Sequence, residues 1–121
     1  MIVDGQIYGG FAQGIGTALY EEMPFDVAGQ PLATTLADYL LPGPAEVPEP
    51  RLDHMETPSP YTMFGVKGVG EGGAIAPPAA IANAVNDALR PLGVELLHSP
   101  ISPRRIVEAI LAARSPERSA A

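Results

Sequence analysis

The sequence predicts an α+β fold of about three helices and a small mixed sheet, and three observations carry that expectation. Apolar side chains recur at helical spacing in three separated runs. Between the runs lie short stretches containing Thr, Tyr and Val, residues that suit a pleated strand. Fourteen prolines and thirteen glycines in 121 residues interrupt the chain often enough to demand a loop-rich layout.

The first helix is expected from about Gly10 to Glu22, where Phe11, Ile15 and Leu19 form a stripe at four-residue spacing. Gly10, Gly14 and Ala18 make a second stripe beside it. Each glycine inside a helix costs up to about 1 kcal/mol relative to alanine. Such a stripe therefore implies that another backbone packs closely there, or that a flat cofactor or partner helix approaches. Residues Pro24 to Pro31 look like a hairpin connection, because Asp26 and Gly29 near proline supply turn geometry. A strand is expected from about Leu32 to Leu41, with Asp38 a carboxylate at a strand edge or turn. Four prolines between Pro42 and Pro50 remove backbone donors and predict an extended connector.

A short strand over Arg51 to Glu56 carries His54, with Asp53 and Glu56 near it; this arrangement admits a catalytic reading beside that of a solvated histidine. Tyr61 to Val66 is strand-like and leads into the glycine loop. Beyond that loop, Pro77-Pro78 suit a first helical turn, and Ile81, Val85, Ala88 and Leu89 give the helix its apolar stripe as far as Pro91. Val94 to Leu97 is a last short strand. Ser102-Pro103 is an N-cap followed by proline at the first helical position, and Ile106, Val107 and Ile110 supply the buried face of the final helix. Residues 1–114 form the folded unit, and 115–121 read as a frayed tail.

Composition narrows the function. Fourteen acidic against seven basic residues give a net charge of −7, which argues against nucleic acid or an anionic membrane as a partner. The chain contains no cysteine and two histidines, so a disulfide is excluded and a protein-ligated zinc site is not expected. No signal peptide and no apolar run near the roughly 18 residues of a membrane span are visible. A cytoplasmic protein is the expectation.

The stretch richest in chemistry is Gly65-Val66-Lys67-Gly68-Val69-Gly70-Glu71-Gly72-Gly73, five glycines around one carboxylate. Gly68-x-Gly70-x-x-Gly73 matches the spacing of a dinucleotide-binding loop. Against that reading, Glu71 would set a carboxylate where a pyrophosphate belongs, and the Pro77-Pro78 pair would delay the helix. Alternatively Glu71, with Lys67 as a nearby cation and Val69 and Ile75 around it, is a general base held against a substrate. A third reading makes it a cap for the helix that follows. The residues by themselves leave the last two open.

Several motifs together resemble one family. These are Gly5-Gln6-Ile7-Tyr8-Gly9-Gly10-Phe11-Ala12-Gln13-Gly14-Ile15-Gly16, Ala18-Leu19-Tyr20-Glu21-Glu22, Asp38-Tyr39-Leu40-Leu41-Pro42, His54-Met55-Glu56-Thr57-Pro58-Ser59-Pro60 and the glycine loop. In order and spacing they resemble the C-terminal part of the molybdopterin-binding large subunit of the xanthine dehydrogenase, aldehyde oxidase and carbon monoxide dehydrogenase family, nearest the carbon monoxide dehydrogenase branch.

The resemblance implies that residues 1–114 are a portion of the second molybdenum-binding domain, with Glu71 as the general base beside the molybdenum. It implies that Gln6 hydrogen-bonds the molybdopterin, and that Gly68, Val69, Gly70 and Gly72 let backbone approach it. No side chain of this chain is expected to ligate the metal itself. The remainder of the large subunit is implied as a partner, with iron–sulfur clusters and FAD on other domains or subunits. Substrates of the family span carbon monoxide, aldehydes and N-heterocycles. A non-catalytic remnant or interaction domain of the same fold is the alternative.

Overall fold

A computed structural model describes residues 1–115. Its order is helix α1 (Ile2–Leu19), a 3-10 turn at Met63–Gly65, helix α2 (Gly72–Leu89), a second 3-10 turn at Arg90–Leu92, and helix α3 (Pro103–Arg114). The three expected helices are present. The mixed sheet is not: among the described residues the only β pairing is an isolated antiparallel bridge between Phe25 and Pro31. The stretches expected as strands at 32–41, 51–56, 61–66 and 94–97 run as turns and irregular chain. A strand is stable only beside a neighbour that completes its ladder, and none of these four segments pairs with another among the described residues.

Helix α1 begins eight residues before its expected start, running straight through Gly5, Gly9 and Gly10. Packing explains this, because intrinsic propensity is a weak preference that tertiary contact overrides. A methyl group added at Gly10 would fall 2.8 Å from the Ala74 backbone nitrogen, and one at Gly14 would fall 2.8 Å from the Pro77 ring. At Gly73 it would strike the Ile7 carbonyl oxygen. Contacts advance together along both helices, Ile7 with Gly73, Gly10 with Ala74 and Gly14 with Pro77, so α1 and α2 run side by side in the same direction. The small-residue stripe is thus a helix seam, which decides between its two sequence readings in favour of backbone packing.

Helix α2 also begins earlier than expected. Pro77 and Pro78 lie in its second turn, five residues or more after Gly72, and Pro77 is buried against α1. The helix therefore follows Glu71 without delay, which removes the proline argument against a dinucleotide loop. The argument from the misplaced carboxylate stands.

The buried side chains Ile15, Ala18, Ala33, Leu89, Val94 and Ile101 gather at the end of the seam remote from the glycine loop. There Ile101 donates its N–H to the Ala18 carbonyl at 2.6 Å. The Asn86 carboxamide bonds both the N–H and the carbonyl of Leu96, at 2.8 and 3.0 Å. Arg105 of α3 pairs with Glu22 at 2.7 Å, and Tyr39 donates to Glu21 at 2.6 Å. Ser102 caps α3, accepting from the Arg105 N–H, as its sequence predicts. The turn at 24–31 is organised by Asp26, whose carboxylate accepts from Ala28 and Gln30. Asp38 closes a turn with Thr35. Outside this core the apolar surface is extensive, with Ile2, Phe64, Ile75 and Leu111 all exposed. Of the tail expected at 115–121, residues 116–121 lie outside the described residues.

Candidate functional site

The entrance to the glycine loop is fixed by backbone bonds. Ser59 donates to the Gly65 carbonyl at 3.0 Å, Gly65 to Thr62 at 3.1 Å, and the Thr62 hydroxyl to Val66 at 2.8 Å. Phe64 and Gly65 are both left-handed, with φ of 61° and 70°. A non-glycine residue in that region carries strain, so the turn is over-determined by its surroundings. The exit is fixed as well: Gly72 donates to the Val69 carbonyl at 2.9 Å and Ala74 to Glu71 at 2.9 Å, the latter opening α2.

Glu71 sits at the N-cap of α2 with φ −88° and ψ 11°, and its side chain makes no capping bond. The capping reading thus keeps the position and the helix dipole but lacks the side-chain bond. Lys67 does not reach the carboxylate, since the Lys67 ammonium donates to the Thr57 hydroxyl. With Gly70, Glu71 borders a cavity of about 360 Å³ whose other lining residues are Gly5, Gln6, Gly9, Gly10 and Gln13 of α1. Nearby, a hollow of about 690 Å³ includes Asp4, His54, Lys67, Gly68 and Val69 in its lining. Of the residues expected at the site, Gln6, Gly70 and Glu71 share the smaller cavity, Gly68 and Val69 border the larger, and Gly72 borders neither.

His54 is not served by its sequence neighbours. Its Nε2 lies 2.7 Å from the Asp4 carboxylate, while the Asp53 carboxylate bonds the His54 backbone N–H. The carboxyl of Asp4 is held below its usual range, first by the hydrogen bond from the Met1 ammonium and then by that with His54. No pattern in the sequence could have paired positions 4 and 54. Gly5, Gly9 and Gln13 were also missed, yet they had a signal: the glycines are four apart and the glutamines seven, which puts each pair on one helical face.

The glycines test whether a bulky group fits. At Gly5, Gly9, Gly68, Gly70 and Gly72 an added methyl would meet nothing within 4 Å, and none of the five needs positive φ. Neither conformation nor internal packing requires glycine there. A group from outside the described residues, lying against bare backbone, would require it, and the carboxamide and carboxylate at the rim can hydrogen-bond such a group. Among the described residues no cluster of three or more His, Cys, Asp or Glu could hold a metal ion.

Comparison with known proteins decides the family. Residues 1–48 match the model of a molybdopterin cofactor-binding domain. The chain is 48% identical over 108 residues to the nicotine 6-hydroxylase large subunit of Paenarthrobacter nicotinovorans, covering 89% of this chain and 13% of that protein. It is 39% identical over 110 residues to the carbon monoxide dehydrogenase large chain of Hydrogenophaga pseudoflava, covering 91% and 14%. Quinoline 2-oxidoreductase from Pseudomonas putida 86 superposes with a TM-score of 0.88 at 51% identity, over 92% of this chain and 14% of that one.

The chain belongs to the molybdopterin-binding large subunits of the molybdenum hydroxylases. It spans about an eighth of the length of the curated relatives named above. Among the described residues no helix is long and apolar enough to cross a membrane.

Proposed function

We propose that this chain supplies the general base and one wall of the molybdopterin site in an oxidative hydroxylase, with Glu71 as the base. The observation that carries the reading is Glu71 in the lining of a glycine-walled cavity, its carboxylate making no capping bond and no pair with Lys67. The molybdenum cofactor, when bound, supplies oxygen-transfer and electron-accepting chemistry. Glu71 would accept at a carboxylate oxygen the proton given up by the oxygen donor and return it to solvent, while the electron pair of the substrate C–H bond that is broken would pass to the cofactor. Gln6 holds the cofactor edge through its carboxamide. Gly68, Val69, Gly70 and Gly72 give it clearance along the backbone.

The substrate class we favour is an N-heteroaromatic ring, ahead of an aldehyde or carbon monoxide. Support comes from the two relatives at 48% and 51% identity, whose names carry nicotine and quinoline. The remainder of the large subunit is the proposed partner, and the exposed Ile75, Phe64 and Leu111 side chains fit burial against it. Iron–sulfur and flavin centres belong on companion domains or subunits. Cytoplasmic placement agrees with a chain free of cysteine.

The test is Glu71→Gln in the complete enzyme. Turnover should fall at least about 10²-fold, the usual contribution of such a base, with molybdopterin content unchanged. Full turnover in that variant would overturn the assignment.

A further inference from the structure

We propose that Gln13 is a second cofactor-positioning residue on α1, its carboxamide working with that of Gln6 from opposite ends of a glycine floor. The inference rests on the reading of the Glu71 cavity as the cofactor site. Gln6 and Gln13 are two helical turns apart, so they share a face at about 10.5 Å along the axis. Both border the cavity that Glu71 borders. One turn between them stand Gly9 and Gly10, so the face reads amide, glycine, amide.

Two further facts give that arrangement a purpose. Gly9 opens onto nothing within 4 Å although it sits inside a helix, where glycine costs up to about 1 kcal/mol relative to alanine. Gln13 is exposed, and beyond the helix's own backbone bonds its carbonyl accepts from the Thr17 hydroxyl, while its carboxamide makes no hydrogen bond among the described residues. A glutamine carboxamide presents two donors and an acceptor in one plane. Two of them bracketing bare backbone suit a flat heterocycle that lays its face on Gly9 and offers amide-like edges to both. A pterin has that chemistry. A purely hydrophobic ligand would leave both carboxamides without partners.

The experiment uses the complete large subunit with its companion subunits. Gln13→Leu removes the carboxamide at similar size, Gln13→Asn keeps it but draws it back, Gly9→Ala fills the floor, and Gln30→Leu in the remote 24–31 turn is the control. Bound molybdopterin per subunit, the Mo(V) electron paramagnetic resonance spectrum and the thermal midpoint are measured for each. Gln13→Leu should retain about tenfold less cofactor on dilution, as expected for one lost hydrogen bond. Its remaining Mo(V) signal should be altered, and Gln13→Asn should recover part of both. Gly9→Ala should lose cofactor with a thermal midpoint equal to or above that of the parent.

Full occupancy with an unchanged spectrum in Gln13→Leu overturns the proposal. So does a loss of cofactor that only tracks a falling thermal midpoint or lost companion subunits, which would make Gln13 a packing contact. An unaltered parent enzyme without molybdopterin would instead bring down the reading of the cavity itself.

Discussion

Gly9 and Gly10 are neighbours on one helix and do opposite work. A methyl on Gly10 would run into the backbone of α2 at 2.8 Å, whereas a methyl on Gly9 would enter open space. The same division runs through the glycine loop, where a methyl on Gly73 would strike Ile7 while one on Gly68, Gly70 or Gly72 would meet nothing within 4 Å. One set of glycines lets two helices approach until their backbones meet. The other set leaves backbone bare, and on the proposed reading that is where the cofactor lies. A sequence shows both sets as the same letter, and only their surroundings tell a fold glycine from a site glycine.

Gly73→Ala should break the first set with the largest effect. The new methyl meets a carbonyl oxygen of α1 and neither backbone can yield without opening the seam, so a loss of about 3 kcal/mol is expected from overpacking. Denaturant unfolding of the complete subunit would show it. Stability within about 0.5 kcal/mol of the parent would mean the seam is looser than described and that the division between the two sets fails.

Glu71→Gln comes next and separates site from fold. Its expected loss of at least about 10²-fold in turnover should leave unfolding unchanged, because the carboxylate makes no capping bond to lose. A fall in stability of the kind expected for Gly73→Ala would show that Glu71 is structural. Gly72→Ala should then give a smaller effect of the reverse kind. Alanine at the first helical position meets nothing, so stability should stay level or rise by up to about 1 kcal/mol. Molybdopterin content should nevertheless fall several-fold if bare backbone is what the cofactor needs.

The same contrast explains what the sequence showed and what it hid. Helix α3 was legible because Ser102 and Pro103 act locally, through a cap and a fixed φ. The glycine loop was legible because five glycines around one carboxylate exceed what its turn at Gly65 and its seam contact at Gly73 need. The start of α1 was hidden, since Gly5, Gly9 and Gly10 read as breakers until Gly73 and Ala74 of α2 are seen against them. The expected strands failed for a related reason: Thr34, Thr35 and Tyr39 suit a pleat, but pairing is a property of two segments. Instead, Tyr39 spends its hydroxyl on Glu21 and Thr35 on Asp38. Of the candidate site, Gln6, Gly70 and Glu71 were named from the sequence and line one cavity, whereas Gln13 in that lining and the contact of Asp4 with His54 emerge only from the fold.

That pair offers the smallest effect and bears on the open side of the loop. Asp4 and His54 both border the hollow beside Gly68 and Val69, so their bond ties the segment around residue 54 to the start of α1. The Asp4 carboxyl is lowered from 3.8 by the Met1 ammonium first and by His54 second. A depressed carboxyl contributes stability that is fully present above its unfolded value and is lost as pH falls through the folded one. The window therefore lies below pH 3.8. Thermal midpoints followed down from about pH 5 should drop more steeply in the parent than in Asp4→Asn, and His54→Ala should lie between them. Where residues precede Met1, its ammonium is absent and His54 becomes the main cause, so His54→Ala should then flatten the profile as far as Asp4→Asn does. Identical profiles in all three would mean that the pair does not hold the segment, and that Gly68 and Val69 keep their place by the backbone bonds of the loop alone.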